Sequence, residues 1–319
     1  MLVVPAPAKV NLSLRVLGRR PDGFHELDTV IVPIDLADTV EVHAIADPGA
    51  FRTLSLSLQV EGDPARTLGV PLDESNLALR AAKALADRVD ARGFAEITLH
   101  KRIPPAAGLG GGSADAAAVL RALDTLWGTG LDPQELSQVA AEVGSDVPAL
   151  LEGRAVRARG RGERIEPVDL PPARWVLVIF GFGVSTAEAY AWWDADTGTR
   201  VSGAGSADGE HDTAVAAPDL ADPDLADPGP LGLGGRMVND LEGPVIRRHP
   251  IIGVAKAVLL SAGCIAAVMS GSGPTVVGLL PAGRSTLDPL GEDEILRLSA
   301  SGPIYVVSWP GRSSTRSPS

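Results

Sequence analysis

The 319-residue sequence contains a single cysteine, Cys264, which excludes an intramolecular disulfide. Cys264 lies in an apolar run from Val258 to Met269, and this run predicts a small buried side chain. Aromatic residues make up only 4% of the sequence, whereas hydrophobic residues make up 45%. The chain can therefore bury a large core, and we expect that core to be mostly aliphatic and rich in alanine.

Positive charge is also scarce, because 28 Lys and Arg face 40 Asp and Glu and give a formal net charge of −12. Such a charge repels a polyanion, so we expect no nucleic-acid partner. The densest run of arginines, from Arg154 to Arg164, is interrupted by glycine. This run predicts a β-hairpin, and it is too short for a nucleic-acid surface.

Long hydrophobic runs are absent as well. Lys256 and several glycines break the best candidate for a membrane span. The first residues, Met1 to Pro5, lack the charged start and apolar core of a signal peptide. We therefore expect a cytoplasmic protein with no membrane partner.

The apolar pattern predicts both strands and helices. Alternating apolar residues predict strands in the first sixty positions, around Ile97 and Leu99, and from Trp175 to Phe180. Helices are predicted to begin at Ser75 and to run from Pro133 to Val143. The chain is therefore expected to contain both strands and helices.

The composition changes abruptly between residues 201 and 235. This stretch is rich in Asp, Ala, Pro and Gly and contains no Lys or Arg. It cannot bury enough apolar surface to offset the entropy lost on ordering, so we expect a mobile acidic loop. The tail at residues 311–319 is predicted to be disordered.

A glycine-rich loop connects the strand around Ile97 to an alanine-rich helix. Tandem glycines let backbone N–H groups approach an anion, and the helix that follows adds the positive end of its dipole. Ser113 is the predicted N-cap of that helix. The loop suits a triphosphate, although a flexible turn remains the alternative. Its residues are Pro104, Pro105, Ala106, Ala107, Gly108, Leu109, Gly110, Gly111, Gly112, Ser113 and Ala114.

Two better-known phosphate loops do not match this stretch. A Walker A loop requires Gly-Lys-Ser/Thr, which is missing here. The dinucleotide-binding fingerprint requires a third glycine where this loop has Ser113.

The loop instead resembles the second motif of the GHMP kinases. The first motif of that family is matched by Pro7–Leu14 and the third by Met269–Thr275, in the same order. The resemblance implies an α+β fold of two domains, with a mixed N-terminal domain at residues 1–168 and a ferredoxin-like C-terminal domain at residues 169–310. It also implies ATP and Mg²⁺, although no carboxylate stands out as a magnesium ligand.

Further segments are similar to the GHMP kinases that act on a diphosphocytidyl derivative of methylerythritol. These segments are Gly18–Leu27, Gly144–Pro148, Ala158–Glu163 and Asn239–Glu242. The similarity implies phosphorylation of the C2 hydroxyl of that small molecule, by a monomer or homodimer. Two alternatives stay open: a kinase of the homoserine or phosphomevalonate type, and a catalytically dead nucleotide-binding protein.

The resemblance assigns catalysis to Lys9 and Asp146. Asp146 would accept the proton of the attacking hydroxyl, and Lys9 would keep that carboxylate ionised and attract the attacking oxygen. Non-catalytic roles are the alternatives. Asp146 could cap the turn before Pro148, and Lys9 could be an ordinary residue at the edge of a strand.

The resemblance also names candidate residues for the substrate. Asn11 would bind the polyol, and His25 would hydrogen-bond the cytosine ring. Phe24, which stands where tyrosine is usual, and Tyr190 would stack on the two faces of the base. A half-buried helix tyrosine is the alternative for Tyr190. Gly271 and Ser272 would form a turn against the substrate.

Two positions concern the nucleotide. Asn76 stands where the helix of this family approaches adenine, and helix capping is its alternative role. Ala114 replaces the second serine that many relatives carry, which removes one possible contact to phosphate or magnesium.

Overall fold

The computed structural model describes residues 1–47, 49–198, 234–285 and 304–309. All but the last two residues of the predicted acidic loop at 201–235, and the predicted tail at 311–319, lie outside the described residues. The chain divides into two compact units. The first consists of Met1–Val10 and Val32–Arg154, and the second of Asn11–Ile31 and the chain from Ala155 onward. The predicted domain boundary at residue 168 stays a prediction.

The strands are β1 (Leu2–Arg19), β2 (His25–Ala46), β3 (Leu54–Gly62), β4 (Gly93–Lys101), β5 (Val156–Gly160), β6 (Arg164–Pro167), β7 (Ala173–Val178), β8 (Val238–Asn239), β9 (Ala266–Met269), β10 (Val276–Leu279) and β11 (Ile304–Trp309). The helices are α1 (Pro64–Thr67), α2 (Leu77–Val89), α3 (Gly111–Trp127), α4 (Pro133–Val143), α5 (Val147–Glu152), α6 (Thr186–Thr197), α7 (Glu242–Arg248) and α8 (Pro250–Ser261). The unit boundaries fall within β1 and β2.

In the first unit, helices cover a small mixed sheet. The second half of β2 pairs antiparallel with β4, and β4 pairs parallel with β3. Helix α2 packs against α3 and α4, and α3 also packs against α5. Nine residues of α3 are buried, and five of them are alanine. Small side chains let the neighbouring helices approach α3 closely, so this helix is a fixed support for the loop that precedes it.

The second unit contains a four-stranded antiparallel sheet in the order β11-β7-β10-β9. If the four strands of this sheet are numbered 1 to 4 in chain order, the sheet has the 4-1-3-2 order of a ferredoxin-like fold. The prediction of such a fold for the C-terminal part is therefore confirmed. The β5–β6 hairpin pairs with the first part of β2, at Leu27–Ile31. Residues of β7, α7, α8 and β9 share one hydrophobic core.

Several local predictions agree with the structure. Cys264 is buried, and burial raises the pKa of its thiol to about 11. The arginine-rich stretch forms the predicted hairpin. Helix α4 has the predicted bounds, and Asp132 and Glu135 form a capping box at its start. No helix within the described ranges is long and apolar enough to cross a membrane.

The predicted N-cap at Ser113 is wrong. Helix α3 begins at Gly111, and Gly110 occupies the cap position with a φ of 69°. Glycine adopts this left-handed conformation without steric cost, so the chain can turn into the helix three residues before a cap at Ser113 would start it.

Candidate active site

The glycine-rich loop turns sharply between β4 and α3. Ala106, Gly108 and Gly110 have φ values of 53°, 75° and 69°. Ala107 and Leu109 alternate with them and are buried, which anchors the loop in the core. The loop therefore leads into the N-terminus of a 17-residue helix whose first N–H groups have no partner within the helix. This geometry suits an anion such as the triphosphate of ATP.

Lys9 of β1 lies across this loop. Its backbone N–H donates to the carbonyl oxygen of Leu109 at 2.9 Å. A β-carbon added at Gly110 would lie 2.9 Å from Cγ of Lys9 and 3.1 Å from its Cε. Lys9 is therefore packed directly on the loop, and its side chain is only 5% exposed.

The structure brings the two predicted catalytic residues together. Nζ of Lys9 lies 3.3 Å from Oδ2 of Asp146, whose side chain is 34% exposed. Asp146 precedes helix α5, but its carboxylate makes no capping hydrogen bond to that helix. The Asp146 side chain therefore does not cap this turn, which was the alternative to a catalytic role.

A buried charge cluster lies beneath the loop, and the sequence analysis did not identify it. The ammonium of Lys101 contacts the carboxylates of Asp38 and Asp115. Asp38 also accepts a hydrogen bond from the backbone N–H of Ile103 at 2.8 Å. The cluster therefore links the end of β4 to the first turn of α3, on both sides of the loop.

The pKa values within this cluster are shifted. Burial raises the pKa of Asp115 to about 7, and the charge of Asp38 acts in the same direction while Lys101 opposes it. Burial alone would lower the pKa of Lys101, but the two carboxylates outweigh it and raise the pKa. With two carboxylates and one ammonium, a proton on Asp115 relieves the excess of negative charge.

Asn76 performs the capping role that the sequence left as an alternative. Its Oδ1 accepts from the N–H of Ala78 at 2.9 Å, and its Nδ2 donates to the carbonyl of Pro71 at 2.7 Å. Its contact with adenine stays a prediction. Ala114 is buried, and its N–H donates to the carbonyl of Gly110 at 2.8 Å, so this N–H is used within the protein.

In the second unit, His25 lies on one face of α6. Its Nε2 is 2.9 Å from Oδ1 of Asp194. Its ring stacks on Tyr190, with centroids 4.6 Å apart and an angle of 21°, and meets the ring of Trp193 edge-on at 5.8 Å. The structure thus brings the predicted residues His25 and Tyr190 together, whereas Trp193 and Asp194 were missed.

Phe24 is 51% exposed. The guanidinium of Arg161, at the tip of the β5–β6 hairpin, lies 5.0 Å from the centroid of its ring. An arginine at this distance from a ring face forms a cation–π contact. A base that stacks on Phe24 therefore has only one open face of the ring available.

The predicted polyol residue, Asn11, is buried. Its Nδ2 donates to Oγ1 of Thr29 at 2.8 Å, and its backbone N–H donates to Oγ of Ser270 at 3.2 Å. These contacts connect β1 to the start of the glycine turn at residues 270–274.

Asn239 holds the same glycine turn in place. Its Nδ2 donates to the carbonyl oxygens of Met269 and Gly271, each at 2.7 Å. Oγ of Ser272 lies 3.2 Å from the hydroxyl of Thr186. The segment Asn239–Glu242 resembled a family motif without a stated role, and the structure shows that its first residue positions the turn.

A cation site made of side chains alone is not visible. Among the described residues, no group of three or more His, Cys, Asp or Glu could hold a metal ion.

Comparison with protein-family models defines the class. The model for "GHMP kinases N terminal domain" matches residues 76–154, and the model for "GHMP kinases C terminal" matches residues 218–288. The first match includes the loop and Asp146, and the second includes the glycine turn. The chain is a GHMP kinase.

Individual relatives show to which group of GHMP kinases the chain belongs. A 4-diphosphocytidyl-2-C-methyl-D-erythritol kinase of Pelotomaculum thermopropionicum is 42% identical over 275 residues, which cover 86% of this chain and 87% of the relative. One of Symbiobacterium thermophilum is 39% identical, covering 86% and 89%. The crystal structure of a 4-(cytidine 5'-diphospho)-2C-methyl-D-erythritol kinase matches with a TM-score of 0.68 and 33% identity, covering 96% of this chain and 98% of that one. The chain belongs to the family of 4-diphosphocytidyl-2-C-methyl-D-erythritol kinases, which confirms the resemblance.

Proposed function

We propose that this chain transfers the γ-phosphoryl group of ATP to the C2 hydroxyl of 4-diphosphocytidyl-2-C-methyl-D-erythritol. The products are the 2-phosphate and ADP, and the reaction belongs to the non-mevalonate route to isoprenoid precursors. The observation that carries the proposal is the contact of Lys9 with both Asp146 and the glycine-rich loop, in a chain whose relatives match over 86% of its length.

Asp146 acts as the general base in this proposal. Its carboxylate takes the proton of the C2 hydroxyl while that oxygen forms a bond to the γ-phosphorus and the bond from phosphorus to the β–γ bridging oxygen breaks. ADP leaves with the bridging oxygen. The partly exposed carboxylate is accessible to a substrate hydroxyl and makes no hydrogen bond to the helix that follows it.

Lys9 supports the same step. Its ammonium lies 3.3 Å from Asp146, where it can also attract the attacking oxygen. Its aliphatic stem packs on Gly110, so the position of the ammonium depends on the conformation of the loop. Charge that develops on the transferred phosphoryl group is stabilised by such a fixed cation.

The loop from Pro104 to Ser113 is proposed to hold the phosphates of ATP through its backbone N–H groups and the N-terminus of α3. Mg²⁺ is proposed to bind with ATP. Magnesium is commonly held by substrate phosphates with one or two carboxylates and waters, so the lack of a cluster of side chains among the described residues fits this mode. When bound, the ion would neutralise negative charge on the phosphates.

The second unit supplies the residues proposed for the cytidine substrate. His25 is proposed to hydrogen-bond the cytosine ring, and Phe24 and Tyr190 to stack on it. Asn11 and the turn at Gly271 and Ser272 are proposed to contact the polyol and its phosphates. The cytoplasmic location and the monomeric or homodimeric state expected from the sequence stay predictions.

A side-by-side assay of acceptors tests the proposed function. ADP release is coupled to NADH oxidation with the cytidine substrate, homoserine or phosphomevalonate as acceptor, and ³¹P NMR identifies the product. We expect turnover with the cytidine substrate alone and a new monophosphate signal from C2. Turnover with homoserine or phosphomevalonate would instead support a sister kinase, and no turnover with any acceptor would support a dead nucleotide-binding protein.

A further inference from the structure

Three side chains of helix α6 contact the His25 ring. Tyr190, Trp193 and Asp194 occupy positions i, i+3 and i+4, which share one face of a helix. Tyr190 covers a face of the imidazole at 4.6 Å, Trp193 meets it edge-on at 5.8 Å, and Asp194 bonds its Nε2 at 2.9 Å. The side chain of His25 is 9% exposed. The ring is therefore held on several sides by one helix.

The contact with Asp194 determines which imidazole nitrogen carries the proton. An ionised carboxylate only accepts hydrogen bonds, so the nitrogen that faces it must donate. Arg19 lies 3.9 Å from the other carboxylate oxygen and adds a positive charge beside Asp194. In a neutral imidazole whose Nε2 is protonated, Nδ1 keeps its lone pair and accepts. Within the described residues, no protein group hydrogen-bonds to Nδ1 of His25.

We propose that Asp194 is a positioning residue that fixes the Nε2–H tautomer of His25 and thereby makes the substrate site select cytosine over uracil. This inference rests on the proposed function. An acceptor at Nδ1 can take a hydrogen bond from the 4-amino group of cytosine. Uracil has a carbonyl oxygen at that position, and two facing acceptors repel each other. A site built to hydrogen-bond one group discriminates strongly against a ligand that lacks it.

The same helix offers a matched control. Asp196 is two residues further along α6 and pairs with Arg247 and Arg248, without contact to His25. Exchanging its carboxylate for an amide removes one charge from α6, as at Asp194, but leaves the imidazole contact intact. Asp194→Asn retains nearly the same shape and can bond Nε2 through either its oxygen or its NH₂, so it no longer imposes a tautomer.

Two measurements test the proposal: the tautomer of His25 and the preference for cytosine over uracil. ¹⁵N NMR of histidine-labelled protein reports the tautomer of His25, and we expect the Nε2–H form in the parent and a mixture in Asp194→Asn. In the kinetic assay, we expect the parent to prefer the cytidine substrate to its uridine 5'-diphosphate analogue by about 100-fold or more in kcat/KM. Asp194→Asn should lose about tenfold or more with the cytidine substrate, and the preference should fall to below about tenfold. Asp194→Glu, which keeps a carboxylate, should recover part of the preference.

The outcomes separate this proposal from the proposed function. An Nδ1–H tautomer or a doubly protonated ring in the parent would overturn the role of Asp194, and so would an unchanged cytidine-to-uridine ratio in Asp194→Asn. An equal change in Asp196→Asn would assign the effect to charge alone and would also overturn it. A parent with the expected tautomer but no turnover of the cytidine substrate would overturn the proposed function and leave the assignment of the tautomer standing.

Discussion

Gly110 and Lys9 are packed so closely that no side chain fits between them. A β-carbon at position 110 would lie 2.9 Å from Cγ of Lys9, a separation that real β-carbons essentially never show. Gly110 also has a φ of 69°, which disfavours any L side chain. The glycine-rich loop and Lys9, which is proposed to be catalytic, therefore constrain each other.

Gly110→Ala should consequently impair catalysis beyond its effect on stability. The left-handed conformation costs alanine roughly 1–2 kcal/mol, and the new methyl group must displace Lys9. Since a displacement of about 1 Å can lower a rate by about 100-fold, we expect kcat to fall by about 10- to 100-fold. Steady-state kinetics and urea unfolding of the same variant separate the two effects.

Gly128→Ala is the matched control for that variant. Gly128 ends α3 with a φ of 58°, and an added β-carbon would meet nothing within 4 Å. It should lose a similar amount of stability and retain the activity of the parent. Equal kinetic defects in both variants would show that backbone strain, rather than contact with Lys9, limits the enzyme.

Tyr190→Ala should impair binding of the cytidine substrate selectively. Tyr190 stacks on His25 and is also proposed to stack on the cytosine ring, so its removal affects both contacts. One stacked aromatic face contributes about 1–3 kcal/mol, so the KM for this substrate should rise about 10- to 100-fold while the KM for ATP barely moves. Tyr190→Phe keeps the ring and should stay close to the parent. A comparable rise for both substrates would indicate a damaged fold instead of a lost stacking contact.

The buried cluster beneath the loop should give the protein a distinctive pH dependence. The pKa of Asp115 is raised from 3.8 to about 7, so the folded state binds this proton more tightly than the unfolded state does. The stabilisation is therefore complete below about pH 4 and is lost as the pH rises through about 7. Between pH 5 and 8, the parent should lose roughly 1–3 kcal/mol relative to Asp115→Asn, which cannot titrate.

Urea unfolding at pH 5, 6, 7 and 8 measures this difference in slope. Asp87→Asn is the control, because Asp87 lies exposed on α2 and, within the described ranges, forms its ion pair with Lys83. Its slope should match that of the parent. A parent that gains stability relative to Asp115→Asn as the pH rises would contradict the raised pKa.

The features that the sequence predicted well depend on neighbouring residues. The alternation of β1, the bounds of α4 and the glycines of the β5–β6 turn are all signals that act within a few positions of the chain. The start of α3 was misplaced by three residues because the serine at 113 is a good cap, whereas the glycine at 110 reaches the same turn through a positive φ. Either a serine cap or a glycine with a positive φ can begin a helix, and a single sequence does not decide between the two.

The contacts that the sequence could not predict join distant positions. Lys101 and Asp38 are 63 residues apart, and His25 and Asp194 are 169 residues apart. No periodicity links such pairs, because their proximity results from the packing of whole elements. Lys9 and Asp146 were predicted to lie together only because each belongs to a segment that resembles a family motif. Their opposite charges alone did not predict the contact.

The central claim is that Lys9 and Asp146 act together in phosphoryl transfer. An exposed pair of the same residue types, Lys83 and Asp87 at 3.0 Å on α2, supplies matched controls. Lys83→Met and Asp87→Asn should leave the rate unchanged. Lys9→Met combined with Asp146→Asn should be little slower than the slower single variant, because residues that act as one unit are not additive.

The single-turnover rate of Asp146→Asn, measured with ATP and the cytidine substrate in rapid-quench experiments, tests this claim most directly. Removing a general base lowers a rate by about 10²- to 10⁴-fold, and we predict a loss of that size. Calorimetric affinities for both ligands should stay within a few-fold of the parent, because Asn is nearly isosteric with Asp. A rate within about threefold of the parent, with both ligands bound normally, would contradict the role of Asp146 as the base.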